Sequence, residues 1–202
     1  MSETYAEQID RHRVTRRRKL LSAAAEALAD LGIRQATMEQ IAAKVGVSKV
    51  ILYRYFGAKD KLVHAVLEEV VDDFLEADEE DAEWWTDRVR RTLRVARANP
   101  AGLKLLVRHA AHDPEFGLHL DRLVDALVAR AAERVTEIRG PEQHTLADTR
   151  FLAQTIMAFF LDSYVRWIDD GPSDRDDEFL EWVTRSVRAL SYYWAGENPP
   201  SI

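Results

Sequence analysis

The chain has 202 residues, enough for one or two small domains, and no cysteine, which excludes disulfides and thiolate metal sites. No apolar run approaches the ~18 residues of a membrane span, and the charged N-terminal stretch has no signal-like apolar core, so a soluble cytoplasmic protein is expected. The formal net charge of −7 is unevenly spread: residues 1–62 hold 12 Lys/Arg against 7 Asp/Glu, and residues 63–202 hold 16 against 28. A basic head on an acidic body suits a nucleic-acid-binding module joined to a part that does not bind nucleic acid. With 8 Gly and 6 Pro among abundant Ala, Leu, Arg and Glu, the expected fold class is all-α.

Residues 1–12 have no apolar period and read as a frayed arm. The first helix is RVTRRRKLLSAAAEALADLG, in which Leu21, Ala24, Ala25, Leu28 and Leu31 share a face and Gly32 is the stop. Arg16, Arg17, Arg18 and Lys19 would lie near its start, where the helix dipole disfavours cations. That placement suits phosphate contact, and the plain alternative is a solvated basic run. Ile33 is expected to pack under the next loop.

Residues 37–56, TMEQIAAKVGVSKVILYRYF, read as two short helices around a tight turn. Thr37 is a natural N-cap, and Gln40 completes a capping box. Ile41, Ala42 and Val45 face inward, and Ala42 is small enough for a steep helix crossing. Gly46 sits where a left-handed residue ends the helix. Val47 is a buried-type residue in the turn, and Ser48 can cap the second helix. Val50 or Ile51, Leu52 and Tyr55 would form that helix's inward face. The pattern is a helix-turn-helix or an ordinary αα-corner.

In residues 57–81 the apolar positions Leu62, Val63, Val66, Leu67, Val70, Val71, Phe74 and Leu75 form one long stripe, hence one long helix linking head to body. The acidic run from Glu76 to Glu83 is expected to be an exposed helix end or loop. Further helices are expected over 86–98, stopping before Pro100, over 101–112, and over 117–140, with Leu120, Leu123, Val124, Leu127, Val128 and Ala131 on one face. Gly140-Pro141 and Gly171-Pro172 bracket the most apolar helix. The last helix carries the stripe Phe179, Trp182, Val183, Val187, Leu190 and Trp194.

The run VSKVILYRYFGAKDKLV resembles the recognition-helix region of the TetR family of one-component transcriptional regulators. Val47, Ser48, Lys49, Leu52, Tyr53, Tyr55, Phe56, Lys59 and Leu62 match, and the resemblance is specific over roughly residues 14–67. It implies a three-helix helix-turn-helix head over residues 1–58. It also implies a helical ligand-binding and dimerisation body over 59–202, and a homodimer packed through the last two helices. Phe159, Trp167, Trp182, Leu190 and Trp194 are candidates for that interface. Trp84, Trp85, Phe116, Met157, Phe160 and Tyr164 are candidates for an effector pocket, or simply core.

On this reading the partners are double-stranded DNA with a palindromic operator, a small-molecule effector and a second copy of the chain, with no membrane and no cofactor. Arg16, Arg17, Thr37, Ser48, Tyr53, Tyr55 and Lys59 are expected to hold phosphates. Lys49, Val50, Ile51 and Arg54 are candidates for base edges or neighbouring backbone. Where many family members carry a small pair such as Gly-Thr, this chain has Val50-Ile51. At least one of these is expected to pack on a thymine methyl.

Other chemistry finds little support. His109 and His112 share a helical turn near Asp113, Glu115 and His119, but the spacing is no zinc-binding motif. There is no glycine-rich phosphate loop, no nucleophile elbow and no set of residues spaced for catalysis. The expected function is a ligand-responsive regulator that represses. The alternatives are an effector-independent regulator or activator, and, furthest away, a helical enzyme.

Overall fold

The computed structural model describes residues 5–79, 85–139, 146–194 and 196. Every regular element among them is helical. The helices are α1 (Tyr5–Leu31), α2 (Met38–Val45), α3 (Lys49–Phe56), α4 (Lys59–Glu79), α5 (Trp85–Ala98), α6 (Pro100–Lys104), α7 (Leu118–Arg139), α8 (Leu146–Asp170) and α9 (Asp176–Trp194). A π-helical turn, Leu105–Ala110, continues α6. None of the described helices is long and apolar enough to cross a membrane.

The chain forms two compact units. The first is residues 1–70 with 101–119, and the second is residues 71–100 with 120–202. In the first unit α1 packs on α2, and its Leu21, Ala24, Ala25 and Leu28 are essentially inaccessible to solvent. Ile33 is buried. The apolar stripe of α4 is buried from Leu62 to Phe74, while Leu75 is only half-buried. The π turn packs against α1 and buries Leu105, Leu106 and Ala110.

Two features of this unit differ from expectation. Residues 5–12 are not a frayed arm but the first turns of α1. That stretch offers only Tyr5, Ala6 and Ile9 as apolar positions, too few for a period to announce a helix. Arg16 to Lys19 therefore lie mid-helix, far from the N-terminal dipole charge, and the argument from the dipole does not apply to them. On α3 the buried side chains are Leu52 and Phe56, four residues apart, whereas Tyr55 is half-buried.

In the second unit α5, α8 and α9 pack on one another. Tyr164 is buried, its hydroxyl 2.9 Å from both Thr92 Oγ1 and the Val89 carbonyl oxygen. Burial pushes its phenol above the ordinary range. At the α8–α9 corner, the Arg97 guanidinium donates to Asp176 (2.7 Å and 3.2 Å) and to the Gly171 carbonyl (2.9 Å). The Trp167 indole N–H donates to the same carboxylate at 2.6 Å, and its ring stacks on Phe179 with centroids 4.9 Å apart. A Cβ on residue 171 would come within 2.3 Å of the Trp167 ring, so only glycine fits there.

The C-terminus of α4 is met by arginines. Arg91 donates to the Ala77 carbonyl at 3.1 Å, Arg130 donates to the Leu75 carbonyl at 3.0 Å, and Arg88 donates to the Asp78 carbonyl. These cations bond backbone carbonyls at the negative end of the helix dipole. They also explain why the acidic run is not uniformly exposed. Asp78 is buried and accepts from Arg130 at 3.2 Å. Residues 80–83 of that run lie outside the described residues.

Candidate nucleic-acid interface

The turn between α2 and α3 is built by local chemistry. The Thr37 hydroxyl oxygen accepts from the Gln40 N–H at 3.3 Å, and the Gln40 side chain accepts from the Thr37 N–H at 2.9 Å. At the other end, Gly46 adopts φ 75°, ψ 30°. Its N–H donates to the Ala43 carbonyl at 3.3 Å, and the Val47 N–H donates to the Ala42 carbonyl at 3.0 Å. This is a Schellman stop, for which glycine carries no steric penalty. Ala42 is buried at the crossing, and Val47 is half-buried. Ser48 occupies the N-cap of α3 in extended conformation, but its hydroxyl makes no capping bond, in contrast to the expected cap.

Burial of Leu52 and Phe56 turns the opposite face of α3 outward. Val50 is 74% exposed and Tyr53 is 42% exposed, and Lys49 and Arg54 are exposed with them. Ile51 is half-buried, so of the β-branched pair it is Val50 that projects. Arg54 lies 5.8 Å from the Tyr55 ring centroid. Thr37 is exposed at the start of α2.

The cations of this surface are not equally available. Lys49 is ion-paired with Glu39 and sits 5.5 Å from the Tyr53 ring centroid. Arg17 approaches Glu69 at 3.6 Å and Arg18 donates to it at 2.6 Å. The Lys59 ammonium, at the first residue of α4, donates to the carbonyls of Ile33 (3.2 Å) and Arg34 (3.1 Å). One of its three donors remains. Arg16 and Arg54 line an open cleft with His12, Arg13 and Tyr55. His12 and Arg13 were missed from sequence. Arg13 stands three residues before Arg16 on a helix, so the i, i+3 spacing was the available signal once that stretch was known to be helical.

A second charged cluster in the same unit was also not foreseen. The Arg34 guanidinium donates to both Asp113 oxygens (2.6 Å and 2.7 Å) and to Glu115 (3.0 Å), and lies 4.8 Å from the Phe116 ring centroid. Hydrogen bonding from Arg34 holds the Asp113 carboxyl down to about 2, and the two carboxylates raise the Arg34 guanidinium above its ordinary range. Beside it, His64 Nδ1 and His119 Nε2 are 2.8 Å apart. His109 and His112 are both exposed. Among the described residues no group of three or more His, Cys, Asp or Glu side chains is placed to hold a metal ion.

The pocket candidates are divided between the two units. Phe116 is fully buried in the first unit, 4.9 Å from His64 between ring centroids. Met157, Phe160 and Tyr164 lie on α8 in the second, where Trp85 approaches Phe160 edge-on at 6.1 Å. Trp84 lies outside the described residues. Of the interface candidates, Trp182, Leu190 and Trp194 are exposed on α9, where Leu190 and Trp194 continue the stripe whose earlier members Phe179, Val183 and Val187 are buried. Phe151 and Tyr193 extend this apolar surface, with Phe151 5.4 Å from Trp194. Phe159 is half-buried, 5.8 Å from Trp182, and Trp167 is held inside the α8–α9 corner.

This geometry is that of a helix-turn-helix DNA-binding head on a chain whose described elements are all helical. Residues 20–66 match the family model for bacterial regulatory proteins of the tetR family. The chain is 28% identical over 186 residues to the HTH-type transcriptional activator FasR of Mycolicibacterium smegmatis, covering 88% of this chain and 84% of that relative. A tetR-family regulator from Streptomyces coelicolor superposes with a TM-score of 0.68 at 17% identity, covering 90% of this chain and 82% of that one. The regulator FadR from Bacillus subtilis, solved with stearoyl-CoA, superposes with a TM-score of 0.64 at 16% identity, covering 85% and 96%. The match over residues 20–66 and the shared fold make the chain similar to TetR-family DNA-binding transcriptional regulators. The relatives and neighbours named here are all described as transcriptional regulators.

Proposed function

We propose that this protein is a ligand-responsive repressor that binds a palindromic operator as a homodimer. Residues 1–58 form the reading head, and residues 59–202 carry effector binding and dimerisation. The observation that supports it most is the split of α3 into a buried side, Leu52 and Phe56, and an exposed side, Lys49, Val50, Tyr53 and Arg54. Base contacts fall to Lys49, Val50 and Arg54, with Ile51 beside them. Thr37, Ser48, Tyr53, Tyr55, Lys59, Arg16 and Arg17 hold phosphates. Two heads spaced about 34–36 Å apart would meet successive major-groove faces. The exposed apolar side of α9, with Trp182, Leu190 and Trp194, suits the contact between the two copies.

An effector acts by binding one dimer shape more tightly than the other, so that the head spacing no longer matches the groove repeat. A long-chain acyl-CoA is the first class to test, because the FadR structure that this fold resembles holds stearoyl-CoA. FasR is named an activator, so activation is the second reading.

The test is selection of duplexes from genomic DNA by the purified protein, followed by binding with and without acyl-CoA and by a promoter reporter. Enrichment of a palindrome released by effector supports the proposal. A dimer that ignores every duplex at low ionic strength refutes it. Reporter output that rises with the protein present converts repressor to activator.

A further inference from the structure

Glu39 stands on the first turn of α2, exposed, with its carboxylate ion-paired to the Lys49 ammonium that begins α3. It takes no part in the capping box, which is made by Thr37 and Gln40. An exposed pair of this kind adds little to stability. Its position is what makes it informative. It joins the two helices of the helix-turn-helix on the side where Val50 and Tyr53 project. A carboxylate on a surface that meets a polyanion is unfavourable unless something there compensates it.

We propose that Glu39 and Lys49 together read a C·G base pair, with Glu39 the residue that confers specificity. The inference rests on the reading of α3 as the recognition helix. An ionised carboxylate only accepts hydrogen bonds, and an ammonium only donates them. In the major groove cytosine presents its N4 amino group as donor, while guanine presents O6 and N7 as acceptors. In the free protein the two side chains satisfy one another. On a C·G pair both exchange partners, Glu39 accepting from cytosine N4 and Lys49 donating to guanine, and no charge is left bare. On other sequences Lys49 can turn to a phosphate, but Glu39 then faces the duplex with no donor. The cost falls on wrong sequences, so discrimination comes from repulsion as well as attraction.

The experiment compares the full-length wild type with Glu39→Gln and Lys49→Gln in selection from a random duplex library, and then measures binding to the selected and a scrambled duplex across a salt series. The wild type is expected to enrich one fixed C·G pair per half-site. Glu39→Gln should lose that preference, bind the scrambled duplex several-fold more tightly, and steepen its log–log salt slope by about 0.9, the value of one added phosphate contact. Lys49→Gln should lose the same preference but bind the scrambled duplex more weakly. An unchanged melting temperature for Glu39→Gln shows that folding is not the cause. A wild-type motif and salt slope that Glu39→Gln leaves untouched overturn the proposal alone, as does a fixed A·T pair at the Glu39-dependent position. A wild type that enriches no motif overturns the recognition-helix reading itself.

Discussion

Replacing thymine by deoxyuridine in an operator removes one methyl group and nothing else, which isolates the contact expected of Val50. In the free head Val50 is 74% exposed, so most of its side chain is available for burial on docking. Because it contributes nothing to the core, Val50→Ala should leave the fold intact. Burying a methyl-sized group contributes about 0.8 kcal/mol, close to fourfold in affinity for one half-site. Across the two half-sites of a dimer the loss is about 1.6 kcal/mol, roughly 15-fold. The assay is competition fluorescence anisotropy at fixed salt, with deoxyuridine moved through each thymine in turn. One symmetric position should show the full loss. Val50→Ala should lose a similar amount on the thymine operator and little more on the deoxyuridine one, because the two changes delete the same contact. If no position responds, or if the two losses simply add, Val50 does not read a thymine methyl.

Lys59→Ala should weaken binding to all duplexes alike and flatten the salt dependence. It should also lower the stability of the first unit by about 1 kcal/mol in urea unfolding, because the ammonium donates to the carbonyls of Ile33 and Arg34. A loss selective for sequence would make Lys59 a base reader instead. Tyr164→Phe should cost about 1 kcal/mol in thermal unfolding, no more, since Thr92 Oγ1 keeps its bonds to the carbonyls of Arg88 (3.0 Å) and Val89 (3.1 Å). A loss several times larger would mean that the phenol has a further role. Asp113 is held from 3.8 to about 2 in the folded state, chiefly by Arg34, so its stabilising effect is full above the unfolded value and fades as pH falls through the folded one. The stability gap between wild type and Asp113→Asn should therefore stay constant above about pH 4 and narrow below it. A gap that does not change on acidification contradicts the pairing.

The parts of this head that were legible in the sequence are those written in neighbouring residues. Thr37 and Gln40 are three apart, and Gly46 follows directly on the helix that it ends, so local rules suffice. The stripe of α4 was legible because its period is its burial pattern. What was hidden depends on partners distant in sequence or on the exact helix rotation. Tyr55 and Phe56 are both aromatic neighbours, and only packing decides that Phe56 is the one buried. Asp78 read as part of an exposed acidic run because the arginine that buries it, Arg130, lies 52 residues away. Phe116 read equally as pocket or core, because nothing near it in sequence announces the Arg34 and His64 side chains beside it. Residues 5–12 stayed silent because so short a stretch with few apolar positions shows no period.

The inclusion of residues 101–119 in the same compact unit as α1 to α3 bears on how this regulator can be taken apart. A fragment cut after α4 would hold the whole helix-turn-helix, yet it would lack Leu103, Leu105, Leu106, Ala110 and Phe116, all fully shielded from water in the intact chain. Grafting these reading helices onto a different sensor is therefore not a matter of joining two sequences at a single seam. The donor must supply two stretches of chain, or the recipient must offer a substitute for the missing wedge.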